Sequence, residues 1–283
     1  MTTLTASTRA DLLRLRTWPA VWVVGAAWLT LVVLFGYVFN YVAYRTGSGS
    51  FATDGVVGEA LLASVLPDRA PETITAGTPM FGGALMMVLG AMAASSGYGW
   101  GSWKTIFTQG PSRTSVTLGS LLSLTIVVAT TVLASLAVAL GISSVLALVE
   151  GRDVVLPAAS ALAQGVGVAF LVLLMWALVG FLLGTLARGP ALAVGLGLVW
   201  ALVVENLLRG VGSLLGWVES LTTILPGTAA GSLVGSIGAS GGPEGAPGVL
   251  TTLSGTQALL TVLAYAVLLP LTTVLVVRGR DLT

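Results

Sequence analysis

The side chains able to do chemistry are few in this sequence. The chain has no Cys and no His, which excludes disulfides, thiolate and imidazole metal sites, Cys or Ser/His nucleophilic pairs and a histidine pH switch. Lys104 is the only lysine and follows Trp103 instead of a glycine run, so no phosphate-cradling nucleotide loop is encoded. Glu205 and Arg209 stand at i, i+4 with the acid first, the favourable order for a helical ion pair. We read them as an interfacial pair closing a short apolar helix, in preference to a substrate contact. Gly165-x-Gly167 and Gly195-x-Gly197 lie inside apolar runs and are read as packing glycines, not dinucleotide turns.

The most distinctive segment is Ser95–Arg113, SSGYGWGSWKTIFTQGPSR. Trp100, Trp103, Ile106 and Phe107 fall at helical spacing and make one apolar face, with Lys104, Thr105, Thr108 and Gln109 around the other sides. Gly110-Pro111 ends that helix, and Ser112 is placed to cap the next one. Periodicity by itself favours an interfacial anchor, with Trp and Lys at headgroup level. The other use of such a face is to dock in a groove on a cytoplasmic partner and pass motion to the spans.

The elements that must position these residues belong in a bilayer. Only 8% of the 283 residues are charged, 55% are hydrophobic and the mean hydropathy is +0.99, against about 25% charged in a soluble domain. A net charge of +1 gives no basic field for nucleic acid. A crossing needs roughly 20 apolar helical residues. The charge-free windows predict an all-α polytopic protein with six spans, near 20–43, 77–97, 116–148, 160–187, 190–208 and 257–277, forming one domain over 1–283. The first apolar stretch is too long for a secretory signal and is read as an uncleaved helix.

With both termini cytoplasmic, the inner segments hold Arg9, Arg14, Arg16, Lys104, Arg113, Arg188, Arg278 and Arg280, and the outer ones hold Arg45, Arg69, Arg152 and Arg209. The acids are placed the other way, with only Asp11 and Asp281 inside. The outer loop Arg45–Ala76 is expected to carry a short amphipathic helix around Val56–Leu66. In the last outer segment, 209–255, a Gly/Ser/Thr/Pro-rich stretch, Pro226–Gly248, contains the run Gly231–Gly248, which reads as flexible loop. The N-terminal run reads as an amphipathic helix on the inner leaflet, with Thr8-x-x-Asp11 as a capping-box start and Leu12, Leu13, Leu15 and Trp18 interleaved with Arg14 and Arg16. A positive-inside flank is the alternative for it.

Gly101-Ser102-Trp103-Lys104-Thr105, followed by Thr108-Gln109-Gly110-Pro111-Ser112-Arg113, resembles the signature of membrane (permease) subunits of type-2 ABC transporters, the antibiotic and multidrug exporter class. The resemblance extends over the whole chain through the span number, the N-terminal helix and the long last outer segment. Ser102 and Lys104 replace the family's usual Thr and Arg, and Gly97 stands where many members carry an acid. The resemblance implies that 98–113 is a coupling segment against an ATPase subunit, that the N-terminal helix is the family's elbow helix, and that the second and fifth spans line a cavity between two permease subunits. By that analogy Met80, Phe81, Met86, Met87 and Trp200 offer an adaptable apolar lining.

The expected function is ATP-driven export of a hydrophobic or amphipathic substrate across the cell membrane. The chain would have no catalytic residue, metal or cofactor of its own, and ATP and Mg would be bound by two copies of a partner ATPase. A second permease subunit, identical or related, and membrane lipid complete the implied partners. The competing reading is a non-transporting scaffold or immunity protein anchored by the same helices. A passive channel fits less well, because no polar face recurs along the spans.

Overall fold

In a computed structural model, residues 3–47, 58–99, 111–212, 215–238 and 246–279 are described. Among them the chain is helical, with no strand. Six helices are long and apolar enough to cross a membrane: Pro19–Thr46, Thr78–Tyr98, Arg113–Val149, Ala159–Ala187, Pro190–Gly212 and Gly255–Gly279. They fall on the expected spans, because a charge-free run of sufficient length leaves a chain in hydrocarbon no other way to satisfy its backbone.

Helix α1 (Thr3–Thr17) precedes the first span, and Pro19 starts that span at the first helical position, where its missing N–H costs nothing. The span runs through α2 (Pro19–Val33), a π turn at Leu34–Val38 and α3 (Phe39–Thr46), ending at Gly47 in a left-handed conformation. The next connection folds back on the bundle as α4 (Glu59–Ser64), a 3-10 turn (Pro67–Arg69) and α5 (Ala70–Ala76). Helix α4 lies inside the stretch expected to be amphipathic. Its Leu61 and Leu62, with Val65, Ala70 and Ile74, are buried against the bundle beside Tyr37 and Ala139.

A π turn at Thr78–Gly82 leads into α6 (Gly83–Gly99); α7 (Arg113–Val149) and α8 (Ala159–Ala187) form the third and fourth spans. Arg188, the one non-glycine residue with positive φ among the described residues, and Gly189 make the turn into α9 (Pro190–Leu198). The fifth span continues through a π turn (Val199–Val204) into α10 (Glu205–Gly212). Two short helices follow, α11 (Gly216–Thr222) and α12 (Pro226–Gly235), and α13 (Gly255–Gly279) is the last span.

The centre of the bundle is the contact of α6 with α8. A methyl group placed on Gly90 would overlap the Ala177 carbonyl oxygen, one on Gly180 the Met87 carbonyl oxygen, and one on Gly184 the Ala91 carbonyl oxygen. The two backbones therefore touch, which small residues permit and which gives association in lipid its dispersion energy. Gly83 similarly makes room for the Trp176 indole. The first span is tied to the third by the buried Trp28 Nε1, which donates to Ser135 Oγ at 2.9 Å.

One expectation fails here. The run Gly231–Gly248 read as flexible loop begins inside α12, in which every residue from Pro226 to Val234 is buried. Its small side chains make a thin helix that wedges between other elements. The Gly231 carbonyl accepts from Leu250 N at 3.1 Å, Ser232 Oγ accepts from Leu253 N at 3.2 Å, and methyl groups on Gly231 and Gly235 would strike the Gly248 and Leu250 carbonyls. The composition that marks a loop in water here serves close packing.

Candidate functional site

Two polar clusters interrupt the apolar packing. The first is built by α1 at the ends of the second and third spans. Arg14 donates from Nη1 to Ser96 Oγ at 3.3 Å and from Nη2 to the Ala93 carbonyl at 3.2 Å, both near the end of α6. The same guanidinium pairs with Asp11 Oδ1 at 2.9 Å. On the other side, Ser123 Oγ of α7 donates to the Thr8 carbonyl at 3.0 Å, and Gly119 lets the α1 backbone approach at Ser7 and Thr8. Asp11 Oδ2 and Arg14 Nε are buried without a partner. Desolvation raises the Asp11 carboxyl above its ordinary value, against the opposing pull of Arg14 and of the Ser120 hydroxyl.

This geometry corrects the expected start of α1. The helix begins upstream at Thr3, so Thr8 does not cap it, and the Thr8 hydroxyl donates back to the Leu4 carbonyl at 3.0 Å. Of the residues predicted for the elbow helix, Leu15 is buried in the core, and Leu12 and Trp18 are half-buried. Arg14 forms the clamp, whereas Leu13 and Arg16 are exposed. The face turned to the bundle thus carries Thr8, Asp11 and Leu15, a polar stripe that the alternation of leucine and arginine conceals.

Between these two anchor points lies the predicted coupling segment. Trp100, Gly101, Ser102, Trp103, Lys104, Ile106, Phe107, Gln109 and Gly110 lie outside the described residues. Of the remainder, Pro111 and Ser112 precede α7 and Arg113 opens it. Ser112 caps α7 as expected, its Oγ accepting from Ser115 N at 3.1 Å.

The second cluster surrounds Glu205, whose side chain is fully buried. Its Oε1 accepts from Trp200 Nε1 at 3.0 Å, and its Oε2 accepts from the Gly227 amide at 2.9 Å, in the first turn of α12. Gly227 is required there, because a Cβ would collide with Oε2. Arg209 instead donates to Asn206 Oδ1 at 2.8 Å. The predicted Glu205–Arg209 ion pair is therefore not a contact pair: the acid is drawn inward by a helix N-terminus, and its hydrogen bonds are spent there. Tyr265 on the last span donates to the Ile224 carbonyl at 2.7 Å, just before α12. Sequence spacing could not reveal this cluster, since Gly227 is 22 residues away in a Gly/Ser/Thr/Pro-rich stretch.

The five residues expected to line a cavity do not share one surface of this chain. Met86 and Met87 are fully enclosed, with Met87 Sδ against Gly197 of the fifth span. Met80 and Phe81 are half-buried, Phe81 stacking on Phe35 at 5.8 Å between ring centroids. Trp200 is 41% exposed. Of the paired glycines, Gly165 packs on Pro71 and Gly197 on Met87, whereas Gly167 and Gly195 face open space. No group of acids among the described residues could hold a metal ion. Neither a family model nor a curated protein matches the chain.

Proposed function

We propose that the chain is the permease subunit of an ATP-driven exporter resembling the type-2 ABC class. It would work as a dimer, with itself or a related chain, in the cell membrane, with both termini cytoplasmic and two ATPase subunits bound from that side. The ATPases bind and hydrolyse ATP with Mg; the permease forms the path for a hydrophobic or amphipathic substrate such as a drug, antibiotic, lipid or peptide.

The observation that carries this reading is the position of α1. It is clamped to the end of the second span by Arg14 and to the start of the third by Ser123, so it bridges the two helices that flank the motif Gly101–Arg113. A push on that motif by a closing ATPase would reach both spans and α1 as one body, the rigid input that an alternating-access mechanism needs. The six apolar helices and the absence of a lysine-bearing phosphate loop support the same division of labour.

The test is copurification followed by transport. The tagged chain is expected to bring down an ATPase subunit, and Trp103→Glu, Ile106→Glu and Phe107→Glu are expected to abolish ATP-dependent export while leaving the chain in the membrane. If no ATPase copurifies and the three variants export normally, the proposal fails.

A further inference from the structure

The fifth span is attached unevenly: α9 packs against α6 and α8, whereas the span beyond it has little apolar attachment to the rest of the bundle. Its buried residues are Ala193, Gly197, Glu205 and Gly212, and the π turn Val199–Val204 buries none. The one fully buried long side chain on it is Glu205, and both of its oxygens are engaged. A carboxylate in this setting is costly unless hydrogen bonds and a favourable dipole compensate it. The Gly227 amide, at the N-terminus of the ten-residue α12, supplies both.

The π turn determines which residue reaches that point. On a regular helix each residue advances by about 100°, so position 204, seven after Gly197, would lie on Gly197's face. The extra residue of a π turn delivers Glu205 there instead. Helix α12 is also imperfectly satisfied where it sits: Thr228, next to Gly227, is fully buried and its Oγ1 has no hydrogen-bond partner. That uncompensated group is relieved when the first turn of the helix opens, so that turn is held against an opposing term.

We infer that Glu205 is a catch that latches the N-terminal turn of α12 to the π-turned fifth span, with the π turn the device that aims the catch, so that this turn opens locally when the catch is lost while the rest of α12 stays packed in the core. The inference stands independently of transport. The groups facing the carboxylate are Trp200 on its own span, Gly227 on α12, and the charged or titratable Arg209 and Tyr265.

Because the chain has no cysteine, single thiols report local opening cleanly. Thr228→Cys places a thiol in α12, and Ser143→Cys places one at an equally buried site in the third span. The full chain is reconstituted in lipid nanodiscs and maleimide labelling is timed at each thiol. Adding Glu205→Gln, which keeps the shape but removes the charge, is expected to speed labelling at position 228 by about tenfold and to leave position 143 unchanged. Trp200→Phe, which removes the other donor, is expected to give a smaller increase at 228 alone. It also serves if the Gln variant does not fold. Unchanged labelling at 228, or equal acceleration at both thiols, would overturn the inference.

Discussion

The second and fourth spans differ sharply from the fifth in how they are held. Each of the first two has 61% of its apolar window buried within the chain, against 17% for the fifth. Glycines at Gly90, Gly180 and Gly184 bring α6 and α8 into backbone contact. Beyond α9, which packs on α6 and α8, the fifth span is fastened instead mainly by one buried acid. Continuous contact makes a unit that moves as a whole, whereas a point attachment can open locally. The acid on the fifth span thus does the work that many methyl groups do elsewhere.

Gly180→Leu should separate the two backbones and destabilise the fold by more than about 3 kcal/mol, read as loss of monodisperse protein in detergent. A well-folded variant would mean that the central contact is softer than described. Glu205→Ala removes the point attachment and leaves the Trp200 and Gly227 donors without an acceptor. A loss of about 2–3 kcal/mol is expected, smaller than that of Gly180→Leu. If the two losses are equal in denaturant unfolding, the distinction between core and attachment is lost.

Gly195→Ala addresses the same residue type where a Cβ meets nothing within 4 Å. It should raise stability by about 0.5–1 kcal/mol through lost chain freedom, opposite in sign to Gly180→Leu in the same assay. The smallest effect belongs to the half-buried Asp11. Because Asp11 sits above its ordinary value, the folded state holds its proton more tightly than the unfolded chain does. Stability should therefore fall as pH rises from the usual carboxylate range through the raised value, and level off above it. Asp11→Asn should flatten that part of the profile in thermal unfolding; a profile unchanged by the substitution would show that Asp11 is not its source.

The six spans were legible because apolar runs bounded by charge leave a bilayer chain no alternative. Ser112 as a cap was legible for a similar reason: it depends on a few adjacent residues. What sequence could not show depends on distant partners. Helix α12 is hidden because the glycine and serine of Gly231–Gly248, which begins within it, signal a loop when water is the assumed surrounding. Glu205 is misassigned to Arg209 because spacing sees the neighbour one turn away and not an amide 22 residues on. Thr8 looks like a cap because a helix start and a helix face can carry the same residues.

The π turn at Val199–Val204 carries one further consequence. A helical wheel drawn straight through it misplaces everything beyond by nearly a third of a circle. Removing one residue within it would hardly shorten the span, yet it would turn Glu205 away from Gly227 as surely as replacing the acid. This short stretch is consequently where the fifth span tolerates a change of length least, even though none of its residues is fully buried.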